Sequence, residues 1–208
     1  MEVHPPEHPI QSWRDFFVHI ATIVVGLLIA IGLEQSVEWF HHRHLVHIAH
    51  LNLRVEAEKN GRTLVQDQRA LAMVHDALLH DLQTVRTLQK NRAAGGELTV
   101  HWAWDDLTDS AYNTARDTGA FTYMPYEEVQ DIDSVYTQQQ YVKTGVNAYV
   151  LSILRIRRPL QGDRTLQDLS PAETNGMLET CADALVNIEL LQDLMANLSK
   201  DYRRLASE

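Results

Sequence analysis

The chain of 208 residues has a single cysteine, Cys181, which excludes an intramolecular disulfide and leaves the redox compartment open. It has no phosphate-cradling glycine loop, no H-E-x-x-H, no G-x-S-x-G and no C-x-x-C. No nucleophile, base or metal set therefore stands at a recognisable spacing, so neither enzyme activity nor a cofactor is expected. Positive charge is also scarce. There are 18 Lys and Arg against 28 Asp and Glu, a net charge of −10, which argues against nucleic acid or anionic lipid as the main partner. Long hydrophobic runs are absent, with one exception.

That exception organises the chain. Phe16–Leu33, FFVHIATIVVGLLIAIGL, carries no formal charge and is just long enough to cross a bilayer as a helix. No small-x-small cleavage site follows it, so it reads as an uncleaved anchor rather than a signal peptide. Trp13, Phe16 and Phe17 mark one boundary, and Trp39 and Phe40 the other. At about 100° per residue, His19, Thr22, Gly26, Ala30 and Glu34 share one small or polar face. Gly26-x-x-x-Ala30 is a small-xxx-small pair that lets helix backbones approach in lipid, and an ionisable His19 belongs against protein, water or the headgroups. This face is the expected helix-packing surface, with the bilayer and other membrane subunits or copies of the chain as partners.

Residues 1–11 read as an irregular tail, because Pro5, Pro6 and Pro9 prevent a regular helix. Residues 12–40 form the expected anchor helix, capped by Ser12, and 41–92 a long juxtamembrane helix, expected as one helix that bends at Asn60-Gly61 rather than two helices that meet there. In its first part Leu45, Ile48, Leu51 and Val55 are expected to face a core. Five histidines crowd the same stretch. His41, His44, His47 and His50 are i,i+3 neighbours on a helix and are candidate ligands for zinc, copper or nickel, although no closed ligand pattern accompanies them. A solvated polar helix face is the plainer reading.

Further on, Leu64, Leu71, Val74, Leu78, Leu82, Val85 and Leu88 recur at helical steps. Ala93-Ala94-Gly95-Gly96 ends that helix. Residues 93–208 are expected to form an antiparallel helical bundle. An extended connector with Trp102 and Trp104 packed on the bundle leads to a short helix from Leu107 to Asp117, and Pro125 opens another that runs to about Arg158. That helix uses Val129, Ile132, Tyr136, Val142, Val146, Tyr149, Ile153 and Ile156 as its apolar pattern, and the polar and aromatic run Tyr136, Gln138, Gln139, Gln140 and Tyr141 reads as a wet helix face rather than a ligand groove. Ser170-Pro171-Ala172-Glu173 is a capping box that starts the last helix, about 171–206. Met177, Cys181, Ala184, Ile188, Leu191, Met195, Leu198, Tyr202 and Leu205 follow alternating steps of four and three, a heptad seam that packs within the bundle or between subunits.

At Gly26 to Trp39, GLLIAIGLEQSVEW, and again at Thr118-Gly119-Ala120 and Met124-Pro125-Tyr126, the chain resembles uncharacterised bacterial membrane proteins with an N-terminal span and a long following helix. The resemblance implies a bacterial inner-membrane location. It brings no activity and no functional residues.

The fold class expected is all-α: a transmembrane helix continuing into a juxtamembrane helix, then a bundle. The expected function is a non-enzymatic structural or accessory subunit that self-associates or docks on a larger membrane complex. An ion- or proton-conducting oligomer, or a sensor domain binding a ligand or metal outside the cytoplasm, are the alternatives. The Lys and Arg flanking the span vote weakly, and the expected orientation puts the N-terminus in the cytoplasm and the helical domain outside it.

Overall fold

The computed structural model describes residues 13–207, so the expected tail and the Ser12 cap lie outside the described residues. The chain is all-α. Helix α1 (Trp13–Lys90) is followed by an extended connector, α2 (Ser110–Asp117), a 3-10 turn (Ala120–Tyr123), α3 (Tyr126–Arg157), two more 3-10 turns and α4 (Pro171–Ser207). No strand occurs among the described residues.

The chain divides into two units, Met1–His47 and Ile48–Glu208. The described part of the first is helix throughout. One stretch of it is apolar and long enough to cross a membrane, and no residue of that window is buried. Each end carries a stack of aromatic rings. Trp13 meets Phe16 edge-on at 6.0 Å, and Trp39 meets Phe40 edge-on at 4.9 Å.

The second unit is a bundle of three long helices. Asn60 bonds the hydroxyl of Tyr202 and Gln89 bonds Asn175, so α1 and α4 run antiparallel. Gln138 bonds the Leu194 carbonyl and Asn187 bonds Ser152, so α3 and α4 are antiparallel as well. Hence α1 and α3 are parallel. The α3–α4 pair is close: a Cβ on Gly145 would lie 3.1 Å from Leu191 Cδ1. Pro125 precedes α3 as its cap residue, and the negative Glu127 and Glu128 occupy its first turn, where the helix dipole favours them. Both halves of the capping box on α4 form. Ser170 N–H donates to Glu173 Oε2 at 2.7 Å, and Glu173 N–H donates to Ser170 Oγ at 3.2 Å. Arg164 grips the same carboxylate at 2.9 Å, and these bonds hold the Glu173 carboxyl down at about 2.

Three expectations about local structure fail for identifiable reasons. Ile48, Leu51 and Val55 are 41%, 44% and 64% exposed, while Ala49, Leu53 and Ala57 are buried, so the inward face of α1 is turned from where its large apolar residues point. The short helix starts at Ser110, not Leu107, because the Thr108 N–H and carbonyl bond Asn60 of α1 and Asp109 takes the cap position. Trp102 is 55% exposed and does not pack into the bundle.

Candidate functional site

On α1, the residues Leu53, Ala57, Asn60, Leu64, Asp67, Leu71, Val74, Leu78, Asp81, Val85 and Leu88 alternate at steps of four and three, and all are buried. Three of these seam positions are polar: Asn60, Asp67 and Asp81. Glu56, one residue before a seam position, is buried too. A carboxylate or amide in such a place is costly unless its polar atoms are paired.

The connector supplies the partners. Asp81 Oδ1 accepts from the Thr99 N–H and hydroxyl, both at 2.8 Å, and Asp81 Oδ2 accepts from Val100 N–H at 2.8 Å. Asp67 Oδ1 accepts from Asp105 N–H at 3.0 Å. The Asn60 amide reads both sides of one residue: its oxygen accepts from Thr108 N–H at 3.0 Å and its nitrogen donates to the Thr108 carbonyl at 2.7 Å. Glu56 Oε2 accepts from Ala111 N–H at 2.9 Å. An extended segment normally pairs its backbone with another strand. Here a helix does that work with three side chains, Asp81, Asp67 and Asn60, while Glu56 answers an amide in the first turn of α2.

The spacing fits. Positions 60 and 81 on a helix are about 32 Å apart at 1.5 Å per residue. Residues 99 to 108 span about 30 Å when nearly extended. The connector is thus drawn out along the same length of α1. At its start a Cβ on Gly96 would lie 2.5 Å from Thr84 Cγ2, a close approach that only glycine allows without rearrangement.

The other helices complete the network. The Tyr136 hydroxyl donates to Glu56 Oε1 at 2.7 Å, and Tyr112 stacks on Tyr136 with ring centroids 4.5 Å apart. Gln139 donates to the Thr108 carbonyl at 3.1 Å and accepts from the Tyr202 hydroxyl, which in turn accepts from Asn60 at 3.3 Å. Tyr149 accepts from Ala103 N–H at 3.3 Å, and Arg157 donates to the Val100 carbonyl at 3.3 Å. Tyr136 and Gln139, read in sequence as part of a wet face, are therefore buried members of this network, while Tyr141 is exposed. Burial raises both Tyr136 and Tyr202 well above the ordinary phenol range, so both are neutral donors.

One atom is left over. Asp67 Oδ2 is buried and has no hydrogen-bond partner among the described residues. Burial pushes the Asp67 carboxyl up to about 6, helped by the neighbouring Asp105 and Asp106 carboxylates and opposed by the Asp105 N–H.

The residues singled out in the sequence are placed as follows. His19, Thr22, Gly26, Ala30 and Glu34 are all exposed along α1. Nothing lies within 4 Å of where a Cβ on Gly26 would be, and the Thr22 hydroxyl donates to its own helix at the Val18 carbonyl. His41, His44 and His47 are exposed, and His50 pairs with Glu128 of α3. Among the described residues no three His, Cys, Asp or Glu side chains converge closely enough to hold a metal ion. The nine seam residues of α4, Met177 to Leu205, are all buried. Burial pushes the Cys181 thiol up to about 12, which makes it a small core residue with negligible thiolate.

The four α1 side chains that hold the connector and the start of α2 escaped the sequence reading. The signal of three of them was present: Asn60, Asp67 and Asp81 are polar residues at positions where a heptad seam calls for apolar ones. The network ties backbone to helix, and Asp67 Oδ2 is its one unpaired buried side-chain oxygen among the described residues. Comparison of the chain with protein families, characterised proteins and solved structures yields no match.

Proposed function

We propose that this chain is a non-enzymatic, membrane-anchored structural or accessory subunit. Its span holds a latched helical domain at a bacterial inner membrane, with the N-terminus cytoplasmic and the domain on the far side. It self-associates or docks on a larger membrane complex through the span's small-residue face and the helical domain. The observation that carries this reading is the apolar window of α1, of which no residue is buried within the chain. Burying that much apolar surface, at roughly 25 cal/mol per Å², needs lipid or partner helices. The bundle supports a structural role, since Asp81, Asp67, Asn60 and Glu56 of α1 are engaged in holding backbone amides of the connector and of the start of α2.

The test has two stages. Alkaline carbonate should leave the chain in the membrane pellet; release into the supernatant would sink the anchor. The native mass after gentle extraction should exceed the 23.8 kDa of one chain, and Gly26→Leu should lower it. An unchanged mass in the variant would remove the small-residue face from the proposal.

A further inference from the structure

Between α1 and α4 lies a groove of about 480 Å³, within the roughly 300–1,000 Å³ range of small-molecule sites. Ala57 and Gly61 of α1 and Ala206 of α4 keep its floor low, and Val65 adds apolar surface. Arg62, Arg69 and Arg203 stand on its rim. All three are exposed.

Their charge is poorly answered. Glu58 is the one acid on the lining, and it approaches Arg62 at 3.8 Å. Arg203 donates to the Ser199 hydroxyl, a neutral partner, at 3.3 Å. No hydrogen bond or ion pair engages the Arg69 guanidinium among the described residues. Two guanidinium charges thus stand uncompensated over one groove in a chain of net charge −10. Arginine is the side chain best suited to grip a carboxylate or phosphate through paired N–H donors.

Gly61 is the second observation. A glycine inside a helix costs about 1 kcal/mol relative to alanine. Packing does not require it here: a Cβ would meet only Tyr202 Cβ, at an ordinary 3.8 Å. Its missing side chain leaves the groove floor open.

We infer that the α1–α4 groove is a binding site for an amphiphilic anion, with a carboxylate or phosphate head on Arg62, Arg69 and Arg203 and an apolar body over Ala57, Gly61 and Val65. A lipid and a soluble organic acid share this chemistry, and the experiment separates them.

The full chain, held in discs of zwitterionic lipid, is titrated calorimetrically with 2-naphthyl phosphate, with empty discs subtracted. One molecule should bind per chain. The Arg69→Gln/Arg203→Gln double variant should bind at least ten-fold more weakly. Gly61→Ala should retain binding and Gly61→Leu should lose it. The double variant changes only exposed side chains, so it tests the site even if Gly61→Leu unfolds. No binding by the wild-type chain overturns the inference. Equal affinity for neutral 2-naphthol overturns the role of the arginines, and equal affinity for inorganic phosphate overturns the apolar subsite. Given binding, displacement by dihexanoyl phosphatidate identifies a lipid ligand, and its failure to displace identifies a soluble acid.

Discussion

Two heptad seams line the bundle, and they differ in kind. The seam of α4 runs from Met177 to Leu205 with Tyr202 as its one strongly polar member. The seam of α1 is interrupted by Asn60, Asp67 and Asp81, with Glu56 beside it. The difference follows from what each seam faces. Where a helix meets helices, the backbone of the partner is already satisfied and apolar side chains pack best. Where it meets an extended segment, the partner brings unpaired N–H and C=O groups, and a carboxylate or amide on the seam answers them. Polar residues on a seam are thus a record of an irregular neighbour.

Three substitutions break or sharpen this contrast. The largest effect is expected from Asp81→Ala. It removes a fully buried acceptor and strands the Thr99 and Val100 amides, and should cost about 3–5 kcal/mol in chemical denaturation. Hydrogen exchange should accelerate at those two amides before the rest of the bundle. Retained protection there would mean that Asp81 does not hold the connector.

On the apolar seam, Ile188→Ala leaves a cavity at a fully buried position and should cost about 3 kcal/mol. Its exchange signature should spread over α3 and α4 and show no preference for the connector. An effect confined to residues 99–111 would contradict the contrast.

The smallest change has the opposite sign. The native Asp67 carboxyl sits at about 6, above its ordinary 3.8, so the native state binds this proton more tightly than the unfolded chain does. Its favourable contribution is complete below about pH 4 and is lost as pH rises through 6. In the ionised form above that, Asp67 costs on the order of 2–3 kcal/mol. Asp67→Asn keeps an acceptor for Asp105 N–H and removes the charge. The variant should be more stable than the wild type at pH 8, by about 2 kcal/mol or less, with the gap closing toward pH 4. A gap independent of pH would show that Asp67 carries no buried charge.

Much of the architecture was legible because it rests on periodicity. The apolar stretch near the start of α1, the run from Leu64 to Leu88 and the α4 seam are apolar patterns at helical spacing, and the capping box names the start of α4 by its chemistry. The connector network was not legible by the same means. A search for apolar periodicity steps over Asn60, Asp67 and Asp81 as gaps, and although it carries one long helix through Asn60-Gly61, it misses that the Asn60 side chain is engaged with Thr108. The same bias misplaced the inward face near residue 50. The large Ile48, Leu51 and Val55 attracted the assignment, while small Ala49 and Ala57 and the charged Glu56 face inward. Gln139 looked wet for want of a visible partner, which comes from a residue 63 positions away in the chain.

The connector is gripped mainly by its main chain. Asp67 touches only an amide hydrogen of the connector, and Asn60 and Asp81 add to its main-chain bonds just the hydroxyls of Thr108 and Thr99. Recognition of that kind is blind to most side chains. Residues 101–106 are therefore free to drift in composition at little cost to the latch, provided that their length and the amide of residue 105 are kept, whereas three positions on α1 hold the specification for all of them. An insertion of one residue in the connector would do more damage than several exchanges within it, because it would shift every amide beyond it out of register with the helix.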